Sequence, residues 1–316
     1  MAAGLDEPSK CLLSIRLPCM LKFMLRFAVL IVLANWLGTS LQAQNIRFHA
    51  LDEGVVEKRL RLSPKTNELR QAGIEQLFAE SGCSASDMEK KPVKKLKYSN
   101  ILCAMAGETD RTILVTAHYD KVGVGDGVVD NWTGTALLAD LHESLHGLPH
   151  RHRIVFISFC CEEGGLIGSQ FFVDGLNKED AAKISAVVNI DSLGLSPTKL
   201  WASKADKHLS QVLLAAAQTM NLPLSAVNVE NVGSADSESF EKLKIPRMTL
   251  HSVTQPTLRV LHSPADRIDA IRMSDYYQSY KLIAAFISLL DNTLDATLAA
   301  PATAKGKSEP NGPPSH

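Results

Sequence analysis

Five short apolar runs recur along this chain with helix-period stretches between them: Ile101–Met105, Ile113–Ala117, Arg153–Phe159, Ile184–Ile190 and Arg247–Leu250. Several lack the polar alternation of a half-exposed strand, so both of their faces must be covered. The stretches Thr133–His146, Gly168–Asp174, Lys207–Met220, Ser237–Leu243 and Ser274–Leu290 supply the covering helices. A further helix is expected over Asn67–Ser81, with Leu69, Ala72, Ile74, Leu77 and Phe78 as its apolar face, and Lys90 to Lys97 reads as a basic connector. Strands alternating with helices specify an α/β domain with a largely parallel sheet between helical layers.

The ends of these runs carry the chemistry. His118-Tyr119-Asp120 follows the second run, Glu162-Glu163 follows the third, and Asp191 closes the fourth. The carboxyl ends of parallel strands form one edge of an open sheet, where ligands bind. Two more candidates lie in loops: Asp130-Asn131, beyond the glycine-rich Gly123–Gly127, and His262 before Ser263-Pro264. His118, Asp130, Glu163, Asp191 and His262 form the nitrogen and oxygen donor set that holds a pair of zinc ions. The same donors admit cobalt or manganese. Asp130 is placed to bridge, with His118 and Asp191 completing one ion and Glu163 and His262 the other. Glu162 is left over as general base, taking a proton from the attacking water and passing it to a leaving amine. Asp120 is expected to accept the second imidazole N–H of His118 and fix its tautomer. Singly, each residue reads as a turn, cap or surface residue; the ordered series on strand ends carries the inference.

These stretches, Ala117-His118-Tyr119-Asp120, Asp130-Asn131-Trp132-Thr133-Gly134, Cys161-Glu162-Glu163-Gly164-Gly165-Leu166-Ile167-Gly168-Ser169, Asn189-Ile190-Asp191 and Leu261-His262-Ser263-Pro264-Ala265-Asp266, resemble the co-catalytic zinc aminopeptidases related to bacterial leucyl aminopeptidase. Glutamate carboxypeptidase and glutaminyl cyclase relatives belong to the same family. A weaker match runs through Asp236-Ser237-Glu238-Ser239-Phe240 to Ile245-Pro246. The resemblance spans Ile101 to Leu290. It implies a three-layer α/β/α sandwich with a mostly parallel mixed sheet, and zinc-dependent removal of N-terminal residues from peptides. Where the family often has Ser-Asp-His before the Phe, this chain has Ala235-Asp236-Ser237, and where some members place an oxyanion-stabilising tyrosine it has Val232. The resemblance therefore assigns no residue beside the metals to polarise the substrate carbonyl. A related dizinc family of carboxypeptidases and deacylases inserts a lid domain before the last histidine. The 71 positions from Asp191 to His262 leave no room for a complete one.

Two rival readings stay open. His142-Glu143-Ser144-Leu145-His146 is a literal H-E-x-x-H, the zincin protease motif. The core face of that helix, Leu137, Leu138, Leu141, Leu145 and Leu148, leaves Glu143 on the opposite side, and Gly147 and Pro149 end it at once. His142, His146, His150 and His152 are accordingly read as a solvated helix end. The other rival is a glutaminyl cyclase-like acyltransferase on the same fold, with one zinc. A scaffold that has lost its ligands is disfavoured by the complete donor set. Trp132, Phe171, Phe240 and Leu258 are candidates for pocket walls or for core.

Composition mainly excludes. With 316 residues, 45% hydrophobic, 21% charged and a formal net charge of −1, the chain offers no basic surface for nucleic acid. The partner expected is a peptide substrate. The apolar run Phe27 to Leu37, flanked by Lys22 and Arg26 and followed by Ser40-Leu41-Gln42-Ala43, has the length of a signal-peptide core and is short for a membrane span. Residues 1–43 are read as an export leader, which a start at Met20 or Met24 would make more regular. Residues 44–291 are read as the zinc peptidase domain and 292–316 as a disordered tail. The chain is expected to be periplasmic or secreted, without a stable membrane span once mature, and anchored in the membrane if the leader stays. In such a compartment Cys83 and Cys103 can pair, while Cys160 and Cys161 read as small buried strand residues. No C-x-x-C pair occurs, so a thiolate zinc site has no sequence signal.

Overall fold

Residue parity along the central strands decides which of two cores a side chain enters. The computed structural model describes residues 46–229 and 233–294. In it Ile113, Val115 and Ala117, then Ile154 and Phe156, then Ala186, Val188 and Ile190 face a large core. Their neighbours Leu114, Val155, Ile157, Phe159 and Val187 face a smaller one on the other side. This is the period of two of a pleated strand. With both faces covered, no polar alternation is needed, and the strands read as continuous apolar runs.

The chain runs α1 (Glu53–Arg61), α2 (Asn67–Glu80), β1 (Met88–Pro92), β2 (Ser99–Met105), β3 (Thr112–His118), α3 (Thr133–Leu145), β4 (Arg153–Phe159), α4 (Ile167–Asp174), α5 (Lys178–Lys183), β5 (Ile184–Ile190), β6 (Lys199–Leu200), α6 (Lys207–Met220), β7 (Ser225–Ala226), β8 (Arg247–His251) and α7 (Met273–Thr293). One eight-stranded mixed sheet results, in the order β1-β2-β4-β3-β5-β8-β6-β7. Its centre, β4-β3-β5-β8, is parallel, and the pairs β1–β2, β2–β4 and β6–β8 are antiparallel. Helices α1, α2, α3, α6 and α7 cover the large core through Val56, Ile74, Leu138, Leu213 and Phe286. On the other face α4 and the 3-10 segment Asp236–Leu243 bring Val173 and Phe240. The α/β/α sandwich is therefore present. Because β3 has β4 on one side and β5 on the other, the chain reverses direction across it. The carboxyl ends of all three strands open on one crevice at that switch.

Several local expectations need correction. The basic stretch from Lys90 begins inside β1, which pairs Met88–Pro92 with Ser99–Cys103. Lysines and a proline on an outer strand guard the edge, and they disguised it as a connector. Segment Asp236–Leu243 is 3-10 rather than α-helical. Helix α1, whose inward apolar residues are Val56 and Leu60, and the fully surface-lying α5 gave no periodic signal. Asn292 and Thr293, read as tail, still belong to α7. The leader reading and the tail from residue 295 lie outside the described residues. Among the described residues, no helix is long and apolar enough to cross a membrane.

Helix α2 buries Ile74, Leu77 and Phe78 as expected, but its first turns differ. Leu69 is 57% exposed, while Arg70 is fully buried. The Arg70 guanidinium donates to the carbonyls of Pro64 (3.0 Å), Tyr119 (3.0 Å), Asp126 (2.8 Å) and Gly127 (2.7 Å), and to Ser63 Oγ (3.2 Å). A planar fork of five donors can be satisfied in this way, so its burial costs little. Burial pulls its pKa down to about 10, with Asp266, Asp120, Asp130 and Glu163 opposing, so it stays charged at neutral pH. Arg70 thus pins the segment after β3 to α2. The expected Cys83–Cys103 disulfide is formed and staples the end of α2 to β2.

Candidate metal centre

His118 ends β3 and is almost wholly buried. Its Nδ1 lies 3.2 Å from the Asp120 carbonyl oxygen. A carbonyl can only accept, so the proton sits on Nδ1 and Nε2 keeps its lone pair for a metal. That Nε2 lies 3.2 Å from Asp130 Oδ1 and 3.7 Å from Asp191 Oδ1. The other oxygen of Asp130, Oδ2, is 3.2 Å from His262 Nε2, which is 2.9 Å from Glu163 Oε2. Two triads result, His118-Asp130-Asp191 and Asp130-Glu163-His262, with the donor atoms of each within 4.8 Å of one another. All five expected ligands are brought together. Glu162 belongs to neither triad; its Oε2 is 4.0 Å from His118 Nε2.

Hydrogen bonds to backbone hold the ligand-bearing segments. The Asp120 carboxylate accepts the N–H of Glu162 at 3.0 Å and of Glu163 at 3.2 Å. With both oxygens so engaged, it stands 3.6 Å from His118 Nδ1. The imidazole is held by the Asp120 carbonyl instead of the expected carboxylate. Asn131 Oδ1 accepts from the N–H of Gly134 (2.9 Å) and Ser192 (3.2 Å), and Nδ2 donates to the Ile190 carbonyl (2.9 Å). The Asp130 loop is thereby tied to the end of β5. A Cβ at Gly134 would stand 2.6 Å from Asn131 Oδ1 and 2.7 Å from the Ile190 carbonyl, so only glycine fits there. Asp266 was given no role in the sequence. Its carboxylate accepts from Val129 N–H (2.7 Å) and Asp130 N–H (3.3 Å), joining the Asp130 loop to the His262 loop. Its place in the His-Ser-Pro-Ala-Asp run was the available signal. Cys161, Ser192 and His262 adopt left-handed backbone, with φ of 62°, 58° and 54°. Each costs on the order of 1–3 kcal/mol and such strain clusters where a site demands it.

Without cations the cluster is electrostatically crowded. Burial pushes Glu162 up to about 9, opposed by His118 and reinforced by Asp236, Asp191 and Asp130. Burial and Asp130 raise Glu163 to about 7. Asp130 goes the other way: despite burial, its bonds to His118 and His262 hold it well below the usual carboxylate range. Those bonds, chiefly to Asp130, raise His262 to about 9. Burial alone would lower His118, but Glu162, Asp120, Asp130 and Asp191 carry it well above its usual value. Ligation needs Glu163 and a nitrogen of each imidazole free of protons, against the upward shifts of Glu163, His118 and His262. Zinc affinity is therefore expected to fall as pH drops, by about tenfold or more from pH 8 to pH 6. Calorimetric titration in buffers of different ionisation enthalpy would detect the released protons; a pH-independent affinity would contradict this picture.

The triads line a cavity of about 430 Å³ whose remaining wall includes Trp201, Val253, Leu258, Leu261 and His251. Of the candidate wall residues, Leu258 lines it. Trp132 and Phe240 are in the two cores, and Phe171 is a surface residue. His251 also went unremarked in the sequence. Its Nε2 faces the Val227 carbonyl at 2.9 Å and its Nδ1 accepts from Val253 N–H at 3.1 Å. Val232 lies outside the described residues. The His262 side chain is 56% exposed and that of His118 is 1% exposed, so one triad is deep and the other at the mouth. Were each triad to hold an ion, His262→Ala would halve metal content and spare the ion of the His118 triad. Loss of both ions, read by elemental analysis, would show that the triads do not load separately.

The H-E-x-x-H helix is engaged elsewhere. Glu143 pairs with Arg59, whose other nitrogen donates to Asp140 at 2.9 Å. His142 Nδ1 contacts Ser81 Oγ at 2.9 Å. Asp291 accepts the backbone N–H of Arg151 and His152 and lies 3.0 Å from His152 Nδ1 and 3.6 Å from His150 Nδ1. His142, His150 and His152 are buried, so the expected solvated histidine cluster is a packed one. Glu143→Gln is expected to leave turnover within about twofold of wild type. A dead enzyme in a standard activity assay would move the general base to this helix.

Residues 100–287 match the model of Peptidase family M28. The chain belongs to that family. Among similar proteins is aminopeptidase YwaD of Bacillus subtilis, 27% identical over 205 residues that cover 63% of this chain and 42% of that one. The solved zinc aminopeptidase BSAP from Bacillus subtilis aligns with a TM-score of 0.55 at 25% identity, covering 60% of this chain and 49% of that chain. A glutaminyl cyclase from an Acidobacteriales bacterium shares the fold, with a TM-score of 0.64 at 18% identity over 76% of this chain and 93% of that chain. The chain spans less than half the length of the curated relatives it matches.

Proposed function

We propose that this M28 chain is a zinc-dependent aminopeptidase that removes N-terminal residues from peptides, with two zinc ions bridged by Asp130. The observation that carries the reading is the division of Asp130, one carboxylate oxygen toward each histidine. The residues fit such a pair of ions. Five nitrogen and oxygen donors converge, Glu163 Oε1 is buried without a hydrogen-bond partner, and cations would relieve the crowded carboxylates. His118 and Asp191 would hold one ion with Asp130, and Glu163 and His262 the other. A zinc pair supplies Lewis acidity to a scissile carbonyl and lowers the pKa of water. Glu162, outside both triads, takes the proton of the attacking water and delivers it to the leaving amine. Asp120 positions Glu162 by holding the amides of the turn that carries it. Trp201, Val253, Leu258 and Leu261 offer an apolar wall to the substrate side chain.

Export to the periplasm or beyond is part of the proposal. The leader-like run Phe27 to Leu37 and the Cys83–Cys103 disulfide support it. Glutaminyl cyclase chemistry is the second reading, since the fold that covers 93% of the solved cyclase is shared with this chain. Against it, both triads are intact here, and one-zinc chemistry does not need the second. The zinc-loaded chain should hydrolyse aminoacyl 4-nitroanilides with a free amine and spare their N-acetylated forms. Cleavage of the acetylated forms would count against an aminopeptidase.

A further inference from the structure

His142, in the last turn of α3, and His146, its C-cap, lie outside the proposed centre, beside the disulfide. Cys83 and Cys103 are buried, and His142 packs against them, its donor nitrogen and the two sulfurs lying within 4.8 Å of one another. His146, the non-helical residue that caps the end of α3, is exposed. Its ring lies over Gly82, the neighbour of Cys83, with Cε1 3.4 Å from where a Cβ would stand. The two imidazole centroids are 5.4 Å apart. Ser81 occupies His142 Nδ1 through its carbonyl at 3.2 Å and its hydroxyl at 2.9 Å, which leaves Nε2 for a ligand. A cavity of about 270 Å³, lined also by Met88, Glu75 and Lys90, reaches Cys83.

We propose that reduction of the Cys83–Cys103 disulfide creates a second, separate metal site, in which Cys83, Cys103, His142 and His146 bind one zinc ion. Two thiolates and two imidazoles are the tetrahedral donor set of structural zinc. The His146 N–H still donates to the His142 carbonyl at 2.8 Å, which keeps the two imidazoles side by side at the end of α3. No C-x-x-C spacing announces the site, because the cysteines come from the turn after α2 and the middle of β2. Reduction by a trialkylphosphine balances with one water. The S–S bond breaks, phosphorus takes the oxygen as phosphine oxide, and the two sulfurs take the protons. Zinc then displaces those two thiol protons. The ion replaces the disulfide as the staple between α2 and the sheet, so the helix that carries Arg70 stays anchored in either redox state.

Cobalt(II) distinguishes this site from the carboxylate centre, because thiolate ligands add intense near-ultraviolet charge-transfer absorption. The full chain, reduced by phosphine and desalted, should bind one more cobalt than the oxidised chain and gain that band. Cys160 and Cys161 are free thiols in both states and cannot account for the difference. His146→Ala, a surface change, should weaken the extra ion by about tenfold or more. The Cys83→Ser/Cys103→Ser double variant should lack the band. If the reduced chain loses its near-ultraviolet circular dichroism, cobalt should restore it. The proposal is overturned if reduction adds no band, if the band survives in the double serine variant, or if cobalt fails to restore a reduced, unfolded chain.

Discussion

Glu162→Gln is expected to lower kcat by about a thousandfold or more while leaving metal content unchanged. The amide keeps the size and hydrogen-bonding reach of the carboxylate but cannot accept and return a proton. General base catalysis contributes roughly 10²–10⁴-fold, so its loss should cost about 3–5 kcal/mol of barrier. Metal content should not change, because Glu162 is in neither triad and reaches only within 4.0 Å of His118 Nε2. Substrate affinity should move far less than kcat. Elemental analysis beside steady-state kinetics reads both quantities. Zinc lost from this variant would make Glu162 a ligand, and full activity would remove it from the mechanism.

Asp130→Ala is expected to empty both triads. Its two oxygens face different histidines, so one truncation takes a donor from each set of three. Loss of outer partners of a ligand typically weakens a metal site by 10–100-fold, and loss of a bridging ligand should exceed roughly a hundredfold at each site. The fold should persist, since the loop remains tied by Asn131 to Gly134, Ser192 and Ile190. Metal content below one ion per chain with unchanged circular dichroism is the expected result. A variant that keeps one tightly held ion would mean that Asp130 serves one metal rather than two. The comparison with His262→Ala is informative, because that change removes a donor from the mouth triad alone.

The parts of this molecule legible in the sequence are those governed by local pattern. β3, β4 and β5 are buried on both faces, so their apolar runs were plain, and ligands placed just beyond them could be assigned to one edge. The less legible parts depend on partners far away in the chain. Arg70 is buried because four carbonyls and a hydroxyl converge on it, and nothing around residue 70 announces that. Asp266 serves Val129 and Asp130 across 136 or more positions. Asp120 was assigned to the imidazole because it is two residues away, whereas its carboxylate goes to the backbone of Glu162 and Glu163. The edge strand β1 was hidden by the lysines that protect it. His142, His150 and His152 read as solvated because their packing against Ser81, Cys83 and Asp291 has no sequence signature.

The central claim is that the site hydrolyses the first peptide bond of its substrate rather than cyclising its first residue. A peptide beginning Gln-Leu, incubated with zinc-loaded chain and read by mass spectrometry, separates the two in one spectrum. Free glutamine and a peptide shortened by one residue are predicted, and both should disappear with Glu162→Gln. A peptide of full length that has lost one ammonia would contradict the account and assign the chain to cyclisation.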